Sequence, residues 1–384
     1  MKEIPGKIEC GQKIRTYVIV GRFLMRIAYV GLHWPRTRDS GVGKKIQAQL
    51  AAWNTRGHEA RLFMHSSEYE PQSNLIEADC FFYKTEGRLK TEFNRINTMG
   101  RMIKAIRDFH PDIIYLRYGI YVFPAHLLMN IAPVVEEINT NDITQHDGLG
   151  GIYSLYNRLT RGIFLRRVHG LVFVSRELAV SPVFASYRKP TRVIANGIDL
   201  DKFEHLPAPV NQTPRLVFIG SPGNTWHGID KLVELARYIS DVHIDIVGYG
   251  ELPEYEPLPE NITLHGYLTM QAYRKVLASA DVAVSSLALH RVQLEEASPL
   301  KSRECLAFGL PLVVAYVDTD LDDLECKFLL KIPNKEDNIQ THAQLIRDFA
   351  YGMRGQRVDR GQITRLDSAS KEADRISFFL EIVE

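Results

Sequence analysis

The sequence predicts an α/β protein made of two doubly wound parallel sheets facing one cleft. Three observations carry that expectation. Short apolar runs alternate with stretches of helical periodicity along most of the 384 residues. The alternation breaks at a polar, proline-bearing stretch near the middle and then restarts. The length itself suits two domains of comparable size.

Arg26–Leu32 reads as a buried strand, followed by a polar, glycine-bearing loop through Gly43. Residues 44–56 place Ile46, Leu50 and Trp53 at helical spacing, and Gly57 closes that helix. Ala60–Met64 is the next strand, completing a β-loop-α-β unit. Residues 93–109 predict a helix with Phe93, Ile96, Met102, Ile106 and Phe109 on one face. Asp112–Leu116, Pro133–Ile138 and Gly170–Val174 read as strands.

The second run opens with strand Arg215–Ile219 and a glycine-containing loop. A helix over 229–240, strands His243–Val247 and Ile262–Leu264, a helix over Ala272–Ala280 and strand Val282–Ser285 follow. Helix Pro299–Phe308 precedes strand Leu312–Ala315, and Ala369–Val383 has the spacing of a closing helix that crosses back to the first domain. His205–Pro214, with three prolines, is the linker. The expected division is an extension over 1–24, domains over 25–190 and 191–368, and a closing helix over 369–384. Ligands in such folds sit at the carboxyl ends of strands, so chemistry is expected in the loops after them.

Composition excludes several classes. Hydrophobic residues are 45% and charged ones 24%, ordinary globular values that a disordered chain lacks. Cys10, Cys80, Cys305 and Cys326 show neither a CxxC pair nor metal-ligand spacing, the pattern of reduced thiols. No apolar run approaches the ~20 residues of a spanning helix, and the first residues are too weakly apolar for a signal peptide. The expectation is a cytoplasmic protein, working at the inner face of the membrane. The formal net charge of +1 conceals an asymmetry. Residues 1–190 hold 27 Lys+Arg against 17 Asp+Glu and residues 191–384 hold 20 against 29, giving +10 and −9.

The most informative stretch is Glu296-Ala-Ser-Pro-Leu-Lys-Ser-Arg-Glu304, ahead of Cys-Leu-Ala-Phe-Gly-Leu-Pro-Leu-Val313. Ser298 is a strong N-cap type, Pro299 suits a first helical turn, and Gly309 with Pro311 ends the helix. The free amides of Leu300 and Lys301 would point from the positive end of the helix dipole, a geometry that holds phosphate. Glu296 and Glu304 would flank that anion and accept hydrogen bonds from hydroxyls. A diphosphate between two hydroxyl-rich groups fits; spacing alone equally allows a capped surface helix. Three other matches fail. Gly41-Val-Gly-Lys-Lys45 lacks the first glycine and the Ser/Thr of a P-loop. Gly248-Tyr-Gly250 lacks the third glycine of a dinucleotide fingerprint. The acidic run Asp318–Asp323 reads as a solvated turn rather than a metal site.

Glu-x7-Glu ahead of Ala-x-Gly-x-Pro resembles the signature of family 4 retaining glycosyltransferases, which have the GT-B fold of two Rossmann-like domains. Other segments agree in order and spacing. Val193-Ile-Ala-Asn-Gly-Ile-Asp199 with Phe203 resembles the family's interdomain segment, and Asp245-Ile-Val-Gly-Tyr-Gly-Glu251 its glycine turn. Asn261–Gly266, Ala280–Val282 and Gly57-His58-Glu59 occur where the family has similar elements. The similarity runs from about Met25 to the C-terminus. It implies that Glu304 holds donor ribose hydroxyls and that Glu296 contacts the donor sugar near the reacting carbon. It implies further that the amides from Ala297 through Ser298 and Pro299 to Leu300 serve the diphosphate and sugar, and that the Ser40–Gly43 loop, with Gly41 and Gly43, approaches the phosphates and acceptor.

The chain departs from the pattern in two places. The loop Gly220–Gly228 carries no Arg, and His227 stands near the family's Lys position, so Lys301 or Lys231 is left to neutralise phosphate. No histidine follows strand Pro133–Ile138 directly; Asn139, Asp142 and His146 are the candidates near the anomeric centre, and the residues do not choose among them. Arg117, just past strand Asp112–Leu116, is the acceptor-binding candidate. The resemblance implies a nucleotide-sugar donor, UDP-sugar or GDP-sugar, with no metal or other cofactor. It implies a sugar, glycolipid or lipid-diphosphate acceptor in cell-surface polysaccharide assembly. The basic helices around 88–107 and 152–167 read as ordinary helices whose apolar faces pack on a sheet. Their charged faces suit a membrane surface or an anionic acceptor; nucleic acid is excluded for want of aromatic stacking residues. A sugar-nucleotide epimerase and a non-catalytic binding subunit of the same fold remain as alternatives.

Overall fold

The computed structural model describes residues 24–32, 40–67, 77–117, 119–147 and 150–384. The expected N-terminal extension, apart from Leu24, and the loop 33–39 lie outside these residues. The first sheet begins with β1 (Arg26–Leu32), α1 (Gly41–Thr55), β2 (Glu59–Ser67), β3 (Asp79–Tyr83), α2 (Arg88–Phe109) and β4 (Ile113–Arg117). It continues through β5 (Val134–Ile138), α3 (Asp142–Asp147), α4 (Gly151–Leu165), β6 (Gly170–Phe173), α5 (Arg176–Val180), α6 (Pro182–Ala185) and β7 (Thr191–Val193). The strand order is β3-β2-β1-β4-β5-β6-β7, all parallel. The last strand runs three residues past the expected division at 190.

The second sheet uses β8 (Arg215–Ile219), α7 (Ile229–Tyr238), β9 (His243–Val247), β10 (Ile262–Gly266), α8 (Met270–Ser279) and β11 (Val282–Val284). After these come β12 (Glu296–Ala297), α9 (Leu300–Ala307), β13 (Leu312–Val314), β14 (Val317–Asp318), β15 (Leu329–Lys331), α10 (Asn338–Met353) and α11 (Ser368–Val383). Its order is β10-β9-β8-β11-β13-β15, with β12 and β14 forming a separate parallel pair. Both sheets are covered on both faces, as all-parallel sheets require. Ala28, Val30 and Leu32 of β1 enter one core with α2 and α4, while Ile27 and Tyr29 enter another with α1 and α11.

The closing helix crosses back to the first half. Its Ile376, Phe378 and Phe379 share a core with Tyr29 and Trp53, and Trp53 Nε1 donates to Glu372 at 2.8 Å. The chain therefore passes between the halves twice, and the two passages are zipped together. Ile198 N donates to Leu366 O at 2.8 Å and Ser368 N to Ile198 O at 2.9 Å. A Cβ at Gly197 would lie 2.9 Å from Ser368 Cα, so the glycine of the Asn-Gly-Ile-Asp segment lets these backbones touch.

Three expectations need correction. Helix α1 starts at Gly41, because Ser40 caps it by accepting from Gly43 N at 2.9 Å; Gly41 and Gly43 form its first turn rather than a loop. On α2, Met99, Met102, Ile103, Ile106 and Phe109 are buried, but Phe93 is 69% exposed and Ile96 37%. Nor do the apolar residues of α4 all pack on the sheet, since Ile152 and Leu159 are exposed.

Candidate active site

The start of α9 is open. Pro299 occupies the cap position with no side-chain hydrogen bond to the helix, so the first amides lack a capping acceptor. Ser298, expected as the cap, does something else. Its hydroxyl accepts from Asn196 N at 3.1 Å and donates to Val174 O at 3.2 Å, and Asn196 Nδ2 donates to Ser298 O at 2.8 Å. The loop before α9 is thus pinned to the end of β6 and to the interdomain segment. Across the cleft stands the first turn of α1: a Cβ on Gly41 would meet Leu300 Cδ1 at 3.6 Å. Two helix N-termini approach one another there, both with positive ends.

Glu304 lines a cavity of about 550 Å³ walled by α1, the interdomain segment, α8, α9 and α11. Burial raises its carboxyl above the usual range, against the opposing charges of Lys44 and Lys301. Burial likewise lowers the Lys301 ammonium, which Glu304 partly holds up. Such a carboxylate has lone pairs for ligand hydroxyls.

Glu296 lies on β12 and faces the first half. Its Oε2 accepts from Glu177 N at 2.8 Å. In return, Glu177 Oε2 accepts from Glu295 N at 2.9 Å and Glu296 N at 2.8 Å. The two carboxylates exchange amides across the cleft, and Glu296 Oε1 is buried without a hydrogen bond, with Arg176 Nη1 3.6 Å away as an ion-pair partner. Ser175 caps the short helix bearing Glu177. Glu177 escaped the sequence reading, although Val174-Ser-Arg-Glu177 is a capped loop after a strand, the kind of place where chemistry was expected.

His227 does not supply the missing cation. It is buried, and burial with the nearby Lys301 charge holds it down to about 4. Its Nδ1 is 3.2 Å from the Tyr249 hydroxyl, which itself donates to Ser221 O at 2.8 Å. That network assigns the proton to Nδ1 and leaves Nε2 as an acceptor. Lys231 is also unavailable to phosphate, because its Nζ is turned to Lys335 O, Glu336 O and Asn338 Oδ1. The local cations are therefore Lys301 and Lys44. Gly220 stands where β8 meets the glycine turn; at Gly248, φ is 94° and a Cβ would lie 2.0 Å from Gly220 O.

On the first-half side, Arg117 and Asn139 come together around a residue the sequence reading passed over. Glu137 is fully buried and accepts from Lys45 Nζ at 2.6 Å and Arg117 Nη1 at 3.3 Å. Lys45 also reaches Asn139 Oδ1 at 3.3 Å. Lys45, Arg375 and Arg117 hold the Glu137 carboxyl down to about 2 against the opposing effect of burial. Two adjacent glutamates in an apolar strand were the available signal, since buried carboxylates need partners. Asp142 is not placed for chemistry. Arg161 binds both its oxygens, at 2.7 and 2.9 Å, and Asn157 donates to it at 2.6 Å, so it clamps α3 to α4. The His146 side chain lies outside the described residues. The acidic run is no solvated turn: Asp318 is buried against Arg303 of α9, and Asp320 binds Arg303 and Lys371. Among the described residues no group of three or more His, Cys, Asp or Glu is arranged to hold a metal.

Two family models match this chain. The model for glycosyltransferase family 4 matches residues 40–202, and that for group 1 glycosyl transferases matches residues 213–348. The chain belongs to the family 4, group 1 glycosyltransferases. Its fold agrees with solved members of the GT-B class. The lipopolysaccharide outer core galactosyltransferase WaaB superposes with a TM-score of 0.65 at 11% identity, over 92% of this chain and 99% of that one. A glycosyltransferase from Rickettsia africae gives 0.64 at 14%, over 94% and 99%. Anabaena HepE, solved with UDP-glucose, gives 0.62 at 15%, over 93% and 99%. No curated protein matches the sequence of this glycosyltransferase.

Proposed function

We propose that the protein is a retaining glycosyltransferase that moves a sugar from a nucleoside-diphosphate sugar to a sugar, glycolipid or lipid-diphosphate acceptor in cell-surface polysaccharide or glycolipid assembly. The observation that carries this reading is the uncapped start of α9 with Lys301 and Glu304 beside it. The amides there, Lys301 and Lys44 stabilise the departing diphosphate as its charge grows, an electrostatic contribution that needs no bound metal. Glu304 accepts the ribose hydroxyls. Glu296 Oε1, buried without a hydrogen bond and 3.6 Å from Arg176 Nη1, accepts a donor-sugar hydroxyl. The acceptor approaches from the first half, past Arg117 and Asn139. HepE was solved with UDP-glucose, which makes uridine the donor base to test before guanosine.

The test is a thermal-shift screen against UDP, GDP and their sugars, followed by donor turnover with Glu296→Gln and Glu304→Gln. Ligands of the native state raise its melting temperature. Both variants should keep the fold and lose transfer or donor hydrolysis. Unchanged turnover in both would refute the assignment, and epimerisation of the donor without any acceptor would favour the epimerase instead.

A further inference from the structure

Beside the open start of α9 stand backbone amides and two lysines, Lys301 and Lys44, each a point charge. Most arginines around the cleft are spent. The loop Gly220–Gly228 after β8 contains none. Arg303 of α9 is buried against Asp318 and Asp320. In the first half, Arg117 is engaged with Glu137 and Arg161 with Asp142, and Arg375 of α11 donates to Glu372.

Arg176 is different. It opens α5, just after β6, and its side chain is 61% exposed. Its charged partner is Glu296, with Nη1 3.6 Å from Oε1, too far for a hydrogen bond. Among the described residues its guanidinium donates to nothing. Five N–H groups in a planar fork are therefore free to donate.

The backbone on each side of Arg176 is tied to the segment that leads into α9. Two residues before it, Val174 O accepts from Ser298 Oγ at 3.2 Å and from Thr319 Oγ1 at 3.4 Å. One residue after it, Glu177 N donates to Glu296 Oε2 at 2.8 Å. Ser298 immediately precedes Pro299, the cap position of α9. Arg176 thus belongs to the first half but is anchored beside the anion site of the second, and its approach to Glu296 turns the guanidinium toward that site. A diphosphate carries more charge than one carboxylate, and its oxygens match the guanidinium fork bidentately.

We propose that Arg176 is a donor-binding residue supplied from the first half, whose guanidinium passes from Glu296 to the phosphate that carries the sugar. Glu296 Oε1 is released to a sugar hydroxyl in the same exchange. The diphosphate is then held from both halves at once, by the α9 amides and Lys301 on one side and by Arg176 on the other. The assignment rests on the transferase reading and adds a donor contact to it.

Titration calorimetry on the full chain compares UDP with UMP, or GDP with GMP if the wild type prefers guanine. Arg176→Ala should weaken the diphosphate roughly tenfold or more, the loss of a charge-assisted contact. It should leave the monophosphate, which lacks the sugar-bearing phosphate, unchanged. Arg176→Lys should fall between, because an ammonium keeps the charge without the fork. The side chain is exposed, so the melting temperature should stay at the wild-type value. If the alanine variant melts lower, Arg176→Gln takes its place with the same expectation. Equal UDP affinity in wild type and variants overturns the proposal. So does an equal loss of UDP and UMP, which marks a general disturbance of the cleft. A wild type that binds no nucleoside diphosphate overturns the transferase reading as well, whereas variants that match a UDP-binding wild type overturn the role of Arg176 alone.

Discussion

At the carboxyl ends of β4 and β5 cations are buried around Glu137 of the first half, whereas at the start of α9 the second half leaves backbone amides uncapped beside the half-buried Lys301. The comparison inverts what net charge suggests. The half with the +10 balance has its cleft-end Lys45 and Arg117 engaged with a carboxylate, which Arg375 of the returning α11 also approaches. The half with the −9 balance offers an anion the positive end of a helix, which adds nothing to formal charge. Net charge thus describes the outer surfaces, and the paired or unpaired state of groups at the cleft decides where a diphosphate is held.

The contrast is sharpest within β5 itself, where Glu136 and Glu137 point to opposite faces of the sheet. Glu137 meets cations and stays ionised. Glu136 sits near Asp142 with Oε2 unpartnered, and burial pushes it up to about 8.

The largest expected effect comes from removing Glu137. Glu137→Ala leaves buried cations uncompensated and should destabilise the protein by about 3–5 kcal/mol in urea unfolding. Its folded-state carboxyl is depressed, so the wild-type stabilisation exists above the ordinary carboxylate range and is lost as pH falls toward about 2.

Glu136→Gln should act in the opposite direction. The raised carboxyl of Glu136 contributes stability below its unfolded value and loses it as pH rises toward about 8. The variant should therefore gain on the order of 2–3 kcal/mol over wild type near pH 8, and little near pH 4, by thermal melts across that window. A constant difference between the two proteins would break the comparison.

On the other side of the cleft, Lys301→Ala should raise the donor Kd about tenfold or more, from the loss of a charge-assisted contact worth about 1.5–3 kcal/mol. A melting temperature within a degree or so of wild type would separate this from unfolding. Equal donor affinity would move the neutralising role to Lys44.

Glu177→Ala should lower kcat about fivefold to tenfold, since Glu177 positions Glu296 through its backbone amides at a cost of about 1 kcal/mol. Glu177→Gln should restore most of it, because an amide oxygen can accept from the same two N–H groups. A purely structural role would lower the melting temperature without that rescue. The smallest expected effect is that of EDTA, which should leave turnover unchanged if amides and lysines carry the diphosphate.

Much of the fold was legible because it is written locally. β1, β8 and β9 are apolar runs whose bounds match the structure, and α9 differs from its expected span by one residue at each end. Helix α10 was missed although Ile339, Ala343, Ile346 and Ala350 mark its buried face. β3 was missed because an edge strand is only half covered and shows a weak apolar run. The site divides in the same way. Glu296 and Glu304 stand in one linear segment, so their association was readable. Asp142 looked chemical and is structural, because its partners Asn157 and Arg161 come from the next helix. Glu137 drew no reading from the sequence and anchors the cleft floor, because its cations arrive from α1, β4 and α11.

The sequence by itself determined two parallel sheets, the family signature and the helix whose start faces the cleft, because periodicity and glycines act over a few residues; the expected linker His205–Pro214 instead packs on the second half, with Leu206 in its core. Tertiary structure alone decided which charges are paired. Burial removes water from Glu136, Glu137, His227 and Lys301, and their protonation then depends on neighbours brought from distant segments. It also decided that Ser298 pins the halves instead of capping α9, that Glu177 and Glu296 exchange amides across the cleft, and that Phe93 on α2 and Leu159 on α4 stay exposed. Each of these depends on where the second half and the returning α11 come to rest, which no local pattern encodes.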